Sequence, residues 1–389
     1  MNCVPAISRL ARAALFGTLL FVSGCADRPG PDVLVPLQAE AVGARQHVVL
    51  VATTRARDSR PGTFFSGERS SGIDFATVKI SVPPSHVQGA IEWPKQGAGN
   101  PATDFVVQEA IYQDNEKQFL GDLNAQLVKL PVGQRKVLIF VHGYNTMFSE
   151  ALYRLTQIAD DSEIKGVPIL FSWASRGKTE DYVYDNNSAT AARDSLEQTL
   201  MLASASNAEE ITILAHSMGN WVTVEALRQM KIAGRGIPPN RIGNVILAAP
   251  DIDVDVFKSQ LKRFGKPAKP FIVIVSRDDK ALGFSDLIAG GKTRLGAYSN
   301  DAELVELGAV VIDLTNVKAM DGMNHGKFAQ IIGMGSKMRE AVARDAAANG
   351  GVLPETISVD GMQISGAERM RQLTSTSQGK SAAATPASQ

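Results

Sequence analysis

The feature that most constrains the fold of this chain is a series of short apolar runs separated by segments with helical periodicity. From residue 136 onward several runs are almost continuously apolar, such as Val137-Leu138-Ile139-Phe140-Val141. Strands buried on both faces have this composition, as in parallel sheets covered by helices. Strands are predicted at 47–55, 76–82, 105–112, 136–141, 167–173, 210–215, 244–249, 271–276 and 310–314.

Helical periodicity appears between these strands, at 149–158, 189–205 and 221–230. Because strands and helices alternate, we predict an α/β fold with a mostly parallel sheet and helices on both faces. The first three strands have little helix between them, so they are expected to form antiparallel pairs at the N-terminal edge. Ligands of such sheets bind beyond the carboxyl ends of the strands, and the residues there are the candidates for function.

One strand end carries a candidate nucleophile. The strand at 210–215 leads into Ala215-His216-Ser217-Met218-Gly219 and then into a helix. This is the strand–turn–helix context of the G-x-S-x-G nucleophile elbow, with Ala215 in place of the first glycine. Ser217 is therefore predicted to be the nucleophile, and Gly219 the small residue that lets strand and helix approach. The alternative is a serine that only caps the helix.

A second strand end offers hydrogen-bond donors for an oxyanion. The strand at 136–141 is followed by His142-Gly143-Tyr144. Gly143 is expected to turn the backbone so that the N–H of Tyr144 faces a reacting carbonyl, while the N–H of Met218 is the second donor. His142 is expected to hold this loop by hydrogen bonds rather than to act as a base.

A seryl nucleophile needs a general base. Among the five histidines, His325 lies in the loop after the last predicted strand, where the order serine, acid, histidine requires the base. His47 and His86 precede the core, and the elbow is expected to direct His216 away from the nucleophile. His325 is therefore the predicted base.

The acid is expected in the turn after the strand at 271–276. Asp278 and Asp279 both lie there, and Asp279 is preferred because an acid further past the strand reaches the histidine better. Asp278 stays an alternative, although it could equally cap the next helix. Asp251 is a third candidate, since some hydrolases take the acid from the preceding strand.

The ends of the chain are predicted to lie outside the folded body at 46–350. Residues 1–24 are interpreted as a signal peptide, because Val22-Ser23-Gly24-Cys25 resembles a bacterial lipobox after a short apolar run. The resemblance implies lipidation of Cys25 and a membrane-anchored envelope protein. Ala26 after it favours the outer membrane, and the alternative is a plain secretory signal. Residues 25–45 are predicted to be a tether and 351–389 a flexible tail.

Composition excludes several classes of protein. The chain has 40 basic and 40 acidic residues without a basic stripe, which argues against nucleic-acid binding. Its two cysteines lie within the first 25 residues, so the body has no disulfide and no thiolate metal site. No metal or cofactor is expected. Arg55, Arg57, Tyr182 and Tyr184 are candidates to line the cleft, because their segments flank strand ends. For the two arginines the preferred interpretation is a surface position or a loop-fixing role.

Together these motifs resemble a bacterial α/β-hydrolase family filed as a domain of unknown function and described as esterase- or lipase-like. The matching segments are 52–55, 140–145, 171–175, 215–219, 248–253, 276–282 and the His325 loop. The resemblance implies hydrolase activity and places the family's acid on Asp279. We expect hydrolysis of a small-molecule or lipid ester through an acyl-enzyme. The alternatives are a non-catalytic binding or scaffold lipoprotein and an amidase or peptidase with the same triad.

Overall fold

An eleven-stranded sheet forms the centre of the protein. The computed structural model describes residues 28–370, except 31, 61, 163–165 and 266–268. The strands are β1 (Arg45–Arg57), β2 (Phe65–Val82), β3 (Val106–Gln113), β4 (Lys136–Val141), β5 (Val167–Ser172), β6 (Glu210–His216), β7 (Ile242–Ala248), β8 (Phe271–Val275), β9 (Val310–Asp313), β10 (Thr356–Val359) and β11 (Met362–Ser365). Their order across the sheet is β10-β11-β9-β8-β7-β6-β4-β5-β1-β2-β3.

The described helices connect these strands. They are α1 (Glu116–Leu127), α2 (Phe148–Asp161), α3 (Tyr182–Ala191), α4 (Arg193–Ala205), α5 (Gly219–Ile232), α6 (Val254–Phe264), α7 (Lys280–Ile288), α8 (Asp301–Glu306), α9 (Lys327–Gln330) and α10 (Gly335–Ala348), with short 3₁₀ turns at Thr179–Asp181, Leu295–Ala297 and Ile332–Met334. The helix predicted at 189–205 is thus two helices, α3 and α4, that meet at Ala192. None of the described helices combines the length and apolarity that a bilayer crossing requires.

The predicted fold class is confirmed. The strands from β4 to β9 pair in parallel, and β1 joins them through a parallel pair with β5. At the N-terminal edge β1, β2 and β3 pair antiparallel, as expected. The first half of β2 was not predicted to be a strand, because its residues 66–72 are polar and at least partly exposed and therefore carry no apolar alternation.

Burial on both faces explains the continuous apolar runs. In β4, Val137, Ile139 and Val141 pack with the helices of one face, including α1, α4, α5 and α6. Leu138 and Phe140 point to the other face, where α2 and α10 cover the sheet. Because successive side chains of a strand point to opposite faces, a strand covered on both sides needs an apolar residue at every position.

The predicted flexible tail at 351–389 is wrong for its first part. The hairpin of β10 and β11 extends the sheet beside β9, and Ile357 and Ile364 are buried in it. Asp360 and Gly361 form the turn, both with positive φ. Asp-Gly between alternating apolar residues is a strong hairpin signal, and the polar flanking sequence obscured it. Residues 371–389 lie outside the described part.

The predicted tether at 25–45 is also wrong where it is described. Val33 and Leu34 are buried against the second face of the sheet, and Tyr153 on α2 donates a hydrogen bond to the carbonyl of Val33 at 2.9 Å. The amide of Leu37 donates to the carbonyl of Val107 at 2.8 Å. The tether was predicted from the prolines of this segment, and the short apolar run around Val33 and Leu34 gives no periodicity that would indicate burial. The signal peptide at 1–24 and Cys25 lie outside the described residues.

We predict that Leu34→Ala destabilises the whole domain by about 2–5 kcal/mol, because it removes a buried side chain and leaves a cavity. Chemical denaturation of the full chain measures this loss. Val42→Ala is the matched control: Val42 belongs to the same segment but is fully exposed, so its change should stay within about 0.5 kcal/mol. Equal effects for the two variants would contradict the packing of this segment on the body.

Candidate active site

The turn between β6 and α5 holds Ser217 in strained backbone. Its φ is +53°, a left-handed value that is uncommon for residues other than glycine. The amide of Ser217 donates to the carbonyl of Ala248 at 3.0 Å. Its carbonyl accepts from the amide and the side chain of Asn220, at 3.1 and 2.8 Å, and from the amide of Asp251 at 3.2 Å. These hydrogen bonds fix the strained turn in place.

Two glycines allow the chain to close around this turn. A Cβ atom on Gly219 would lie 2.4 Å from the carbonyl oxygen of His142, and one on Gly143 would lie 2.7 Å from the Cβ of Ser217. Contacts this short exclude any side chain at either position. The loop after β4 therefore lies directly against Ser217, as the sequence predicts.

Backbone amides next to Ser217 can serve as oxyanion donors. The amides of Tyr144 and Met218 donate no hydrogen bond to any other residue in the described part of the chain. Met218 also precedes the first turn of α5, where the helix dipole favours negative charge. The two predicted donors thus flank the candidate nucleophile with their N–H groups unused by the fold.

Asp279 and His325 form a close pair beside the turn. The Nδ1 atom of His325 lies 2.6 Å from Oδ2 of Asp279, whose carboxylate is fully buried. Burial alone would lower the pKa of His325, but the charge and the hydrogen bond of Asp279 outweigh it and raise this pKa. With Nδ1–H directed to Asp279, the Nε2 atom is left to accept a proton. The ring of His216, adjacent to Ser217, lies 4.5 Å from the ring of His325.

The alternative acids have other partners. Asp278 binds Lys327 Nζ at 2.7 and 2.8 Å and the hydroxyl of Ser276 at 2.6 Å. Asp251 accepts from the hydroxyl of Ser285 at 2.6 Å and pairs with Arg294 at 3.2 Å. Asp279 itself, rather than Asp278, caps α7, because its Oδ1 accepts from the amide of Leu282. The preferred acid of the sequence analysis is therefore the one that meets His325.

The loop that carries His325 is organised by a residue that the sequence analysis did not single out. The carboxylate of Asp321 accepts from the amides of Met323, His325 and Gly326. This pattern folds residues 321–326 into a tight turn. The sequence signal that indicates this turn is Asp-Gly at 321–322, a turn-forming pair shortly before the histidine.

Lys327 ties this loop to the turn of the acid. It is almost fully buried, and besides Asp278 it donates to the carbonyls of Leu314 and Thr315, both at 3.1 Å. Asn324 adds a bond to the Asp278 carboxylate at 2.9 Å. A buried lysine is rarely tolerated without such partners. Residues 278 and 327 thus hold the two loops together next to the contact of Asp279 with His325.

His142 has the contacts of a loop-holding residue. It is buried and stacks on Trp173, while Nδ1 lies 2.8 Å from the carbonyl of Gly143 and Nε2 lies 3.1 Å from the hydroxyl of Ser172. Burial and the nearby charge of Arg55 lower the pKa of His142 to about 3. Its ring is therefore neutral at physiological pH and already engaged in hydrogen bonds.

Arg55 fixes the loops behind His142. Its guanidinium is buried and donates to the carbonyls of Ser66, Thr146 and Ser175 and to the hydroxyl of Ser172. Of the two positions expected from the sequence, surface or loop-fixing, Arg55 has the loop-fixing one. Arg57 lies at the surface and pairs with Asp74.

His216 forms part of the wall beside the candidate base. Its ring stacks on Phe328 and its Nε2 lies 3.3 Å from the carbonyl oxygen of His325. Burial and the neighbouring His325 hold the pKa of His216 well below its usual value. The sequence analysis expected this ring to point away from the site, whereas the structure places it against His325.

Comparison with known proteins identifies the family. Residues 115–335, more than half of the chain, match the family described as α/β hydrolase of unknown function (DUF900). The chain belongs to this family. No curated protein matches the sequence.

Two solved structures show a distant likeness to the chain. Both are of esterase B from Lactobacillus rhamnosis. The C6-C4 SN3 inhibited form has 7% identity and a TM-score of 0.35, covering 80% of this chain and 92% of that one. The C4-C4 SN3 tributyrin phosphonate form has 8% identity and a TM-score of 0.35, covering 81% and 91%.

We predict that His325 titrates above the ordinary histidine pKa of about 6.5. Asp279→Asn should lower this pKa, because the neutral amide removes the charge that raises it, while burial continues to disfavour the protonated ring. Titration of the histidine ring protons by NMR measures both values. His142 is an internal reference that does not titrate near neutral pH. Asp278→Asn is the matched control and should leave the pKa of His325 raised. If Asp278→Asn lowers it as much as Asp279→Asn does, the assignment of the acid is wrong.

Proposed function

We propose that this α/β hydrolase is a serine hydrolase that cleaves carboxylic esters through an acyl-enzyme. The observation that carries the proposal is the buried contact of Asp279 with His325, at the carboxyl end of the sheet that also presents Ser217 in strained backbone. A nucleophile, an orienting acid and a base in this chain order are typical of the catalytic triad of α/β hydrolases. The free amides of Tyr144 and Met218 support the proposal.

In the proposed reaction, His325 Nε2 takes the proton of Ser217 as Oγ attacks the carbonyl carbon of the ester. The amides of Tyr144 and Met218 stabilise the oxyanion, and Asp279 stabilises the imidazolium that forms. His325 then gives its proton to the leaving alcohol. A water molecule, activated by the same ring, releases the acid from Ser217. Since the base must be neutral, activity falls as pH drops through the raised pKa of His325.

The surroundings of the site favour an ester with an apolar acyl chain. Helix α7, which begins directly after Asp279, exposes Phe284, Leu287 and Ile288, and the His325 loop exposes Met323. The two segments are adjacent, because the amide of Lys280 donates to the carbonyl of Met323. Clustered apolar side chains at a protein surface mark binding sites for apolar groups.

A chain of contacts connects this surface with the nucleophile. Gly143 lies against Ser217, and the ring of the next residue, Tyr144, packs on Tyr182 at 5.0 Å. The hydroxyl of Tyr182 in turn lies 2.9 Å from that of Ser285 on α7. Helix α7 is thus connected to the loop that carries Tyr144, and we propose that its exposed face receives the acyl chain.

The envelope location is also part of the proposal and rests on the sequence alone. Cys25 in its lipobox-like context would carry the lipid anchor, which would place the site at a membrane surface.

We predict that Ser217→Ala lowers the hydrolysis of a nitrophenyl butyrate by about 10⁴-fold or more and abolishes labelling by a fluorophosphonate probe, since it removes the nucleophile. Ser81→Ala is the matched control, because Ser81 is a buried serine on β2, remote from the site. Wild-type protein that is folded but neither labelled nor active would contradict the proposal and favour a binding or scaffold role. Labelling together with a preference for amide over ester substrates would favour an amidase or peptidase.

We predict that activity rises from acetate to octanoate esters, because each buried methylene contributes about 0.8 kcal/mol. Leu287→Ser should lower kcat/KM for the octanoate several-fold and leave that for the acetate nearly unchanged. Val132→Ser is the control, as Val132 is equally exposed but precedes β4, at the opposite end of the sheet. A chain-length profile that Leu287→Ser does not alter argues against acyl binding on α7.

A further inference from the structure

A second cluster of ionisable side chains lies at the opposite end of the sheet from Ser217. It comprises His47 near the start of β1, His86 and Glu92 between β2 and β3, and Asp160 and Asp161 at the end of α2. Because β1 runs parallel to β5, its first residues lie at the amino ends of the strands. The cluster therefore takes no part in the proposed ester hydrolysis.

His86 is the centre of this cluster. Its side chain is only 2% exposed. Its Nδ1 atom lies 2.7 Å from Oε2 of Glu92, while Nε2 lies 3.1 Å from Oδ1 of Asp161 and 3.9 Å from Oδ2 of Asp160. When the ring is neutral and Nδ1–H is donated to Glu92, Nε2 directs a lone pair at two carboxylate oxygens. Three electron-pair donors then converge on one point.

The spacing of these donors is close to that around a tetrahedral metal ion. Bonds of about 2.0–2.2 Å from zinc to nitrogen and oxygen separate neighbouring ligands by about 3.3–3.5 Å. The ligand atoms of His86, Asp160 and Asp161 all lie within 4.8 Å of one another. Imidazole with carboxylates is a donor set that zinc accepts.

The groups around the donors have the arrangement of an outer coordination shell. Glu92 accepts from the second ring nitrogen of His86, as carboxylates commonly do behind a metal-bound histidine. The other oxygen of Asp161 accepts from the amide of Gly89 at 2.7 Å and the side chain of Gln157 at 2.6 Å. Asp160 is held by Arg45 and by Nε2 of His47 at 2.9 Å. Each of the three side chains is thus positioned by a second contact.

The local charge also favours a cation. Asp160 and Asp161 lie in the last turn of α2, where the helix dipole is negative and which itself contains no basic residue. Arg45 donates to both carboxylate oxygens of Asp160, and Arg154 donates to the side chain of Gln157 and to the carbonyl of Gly89. With Glu92 included, three carboxylates face these two guanidinium groups, so the acidic side chains outnumber the guanidinium groups.

We propose that His86, Asp160 and Asp161 bind a divalent transition-metal ion, with Zn²⁺ the ion that best fits the donors. The ion would be structural, because it would join the end of α2 to the connection between β2 and β3. In the alternative case His86 is protonated, and without a metal ion its Nε2–H donates to the carboxylate of Asp161 while its charge pairs with that of Asp160. The experiment below separates metal binding from this protonation.

The test uses the full chain with Cys3→Ser and Cys25→Ser, which removes the thiols as competing ligands. After treatment with a chelator, the protein is titrated with Zn²⁺ by calorimetry, and its Tm is measured with and without the ion. We expect one Zn²⁺ per chain, release of protons on binding and a rise in Tm of several degrees. Absence of stoichiometric binding at micromolar protein would overturn the proposal and leave a protonated His86 as the explanation.

Variants show whether binding occurs at this cluster. Asp161→Asn and His86→Gln should each weaken Zn²⁺ binding at least tenfold and remove the rise in Tm. Asp74→Asn is the matched control, since it neutralises a carboxylate paired with Arg57 outside the cluster. Zn²⁺ binding that Asp161→Asn does not weaken would overturn the site, and this isosteric variant answers the question even if His86→Gln does not fold. None of these readouts depends on ester hydrolysis.

Discussion

The contact between Asp279 and His325 joins two loops that lie 46 residues apart in the sequence, and the proposed chemistry depends on it. A buried carboxylate is costly unless it is hydrogen-bonded. Both oxygens of Asp279 are satisfied, one by His325 and the other by the first turn of α7. The helix cap thus orients the carboxylate that orients the imidazole. The same pair of loops is joined a second time, through Lys327 and Asp278, so the position of His325 does not rest on a single hydrogen bond.

The strained turn at Ser217 depends on the surrounding backbone in a similar way. A left-handed residue other than glycine costs on the order of 1–3 kcal/mol. The four hydrogen bonds at its amide and carbonyl contribute about 1 kcal/mol each and offset that cost. Two of them come from Asn220, whose side chain also donates to the carbonyl of Ala248 at the end of β7. The elbow is therefore held by the neighbouring strand as well as by its own helix.

The parts of the fold that could be predicted are those that follow from burial. β4 was predicted with its observed bounds because helices cover both of its faces, whereas the exposed first half of β2 has no such pattern. The chain order of Ser217, Asp279 and His325 identified the candidate site, since strand ends meet at one edge. Asp321, Lys327 and Arg55 could not be assigned their contacts, because they act through hydrogen bonds between segments distant in sequence. Local periodicity carries no information on such bonds.

Helix α2 links the two ends of the molecule. It begins at Phe148, directly after the loop of His142 and Gly143, and ends at the carboxylates of the proposed metal site. At its start, Glu150 accepts from the amide of Met147, so the end of the loop that carries Tyr144 is hydrogen-bonded to the first turn of the helix. Near its end, Ile158 is fully buried in the core on that face of the sheet. A cation bound at the far end would fix the position of α2, and the loop that carries Tyr144 would be positioned by the same helix.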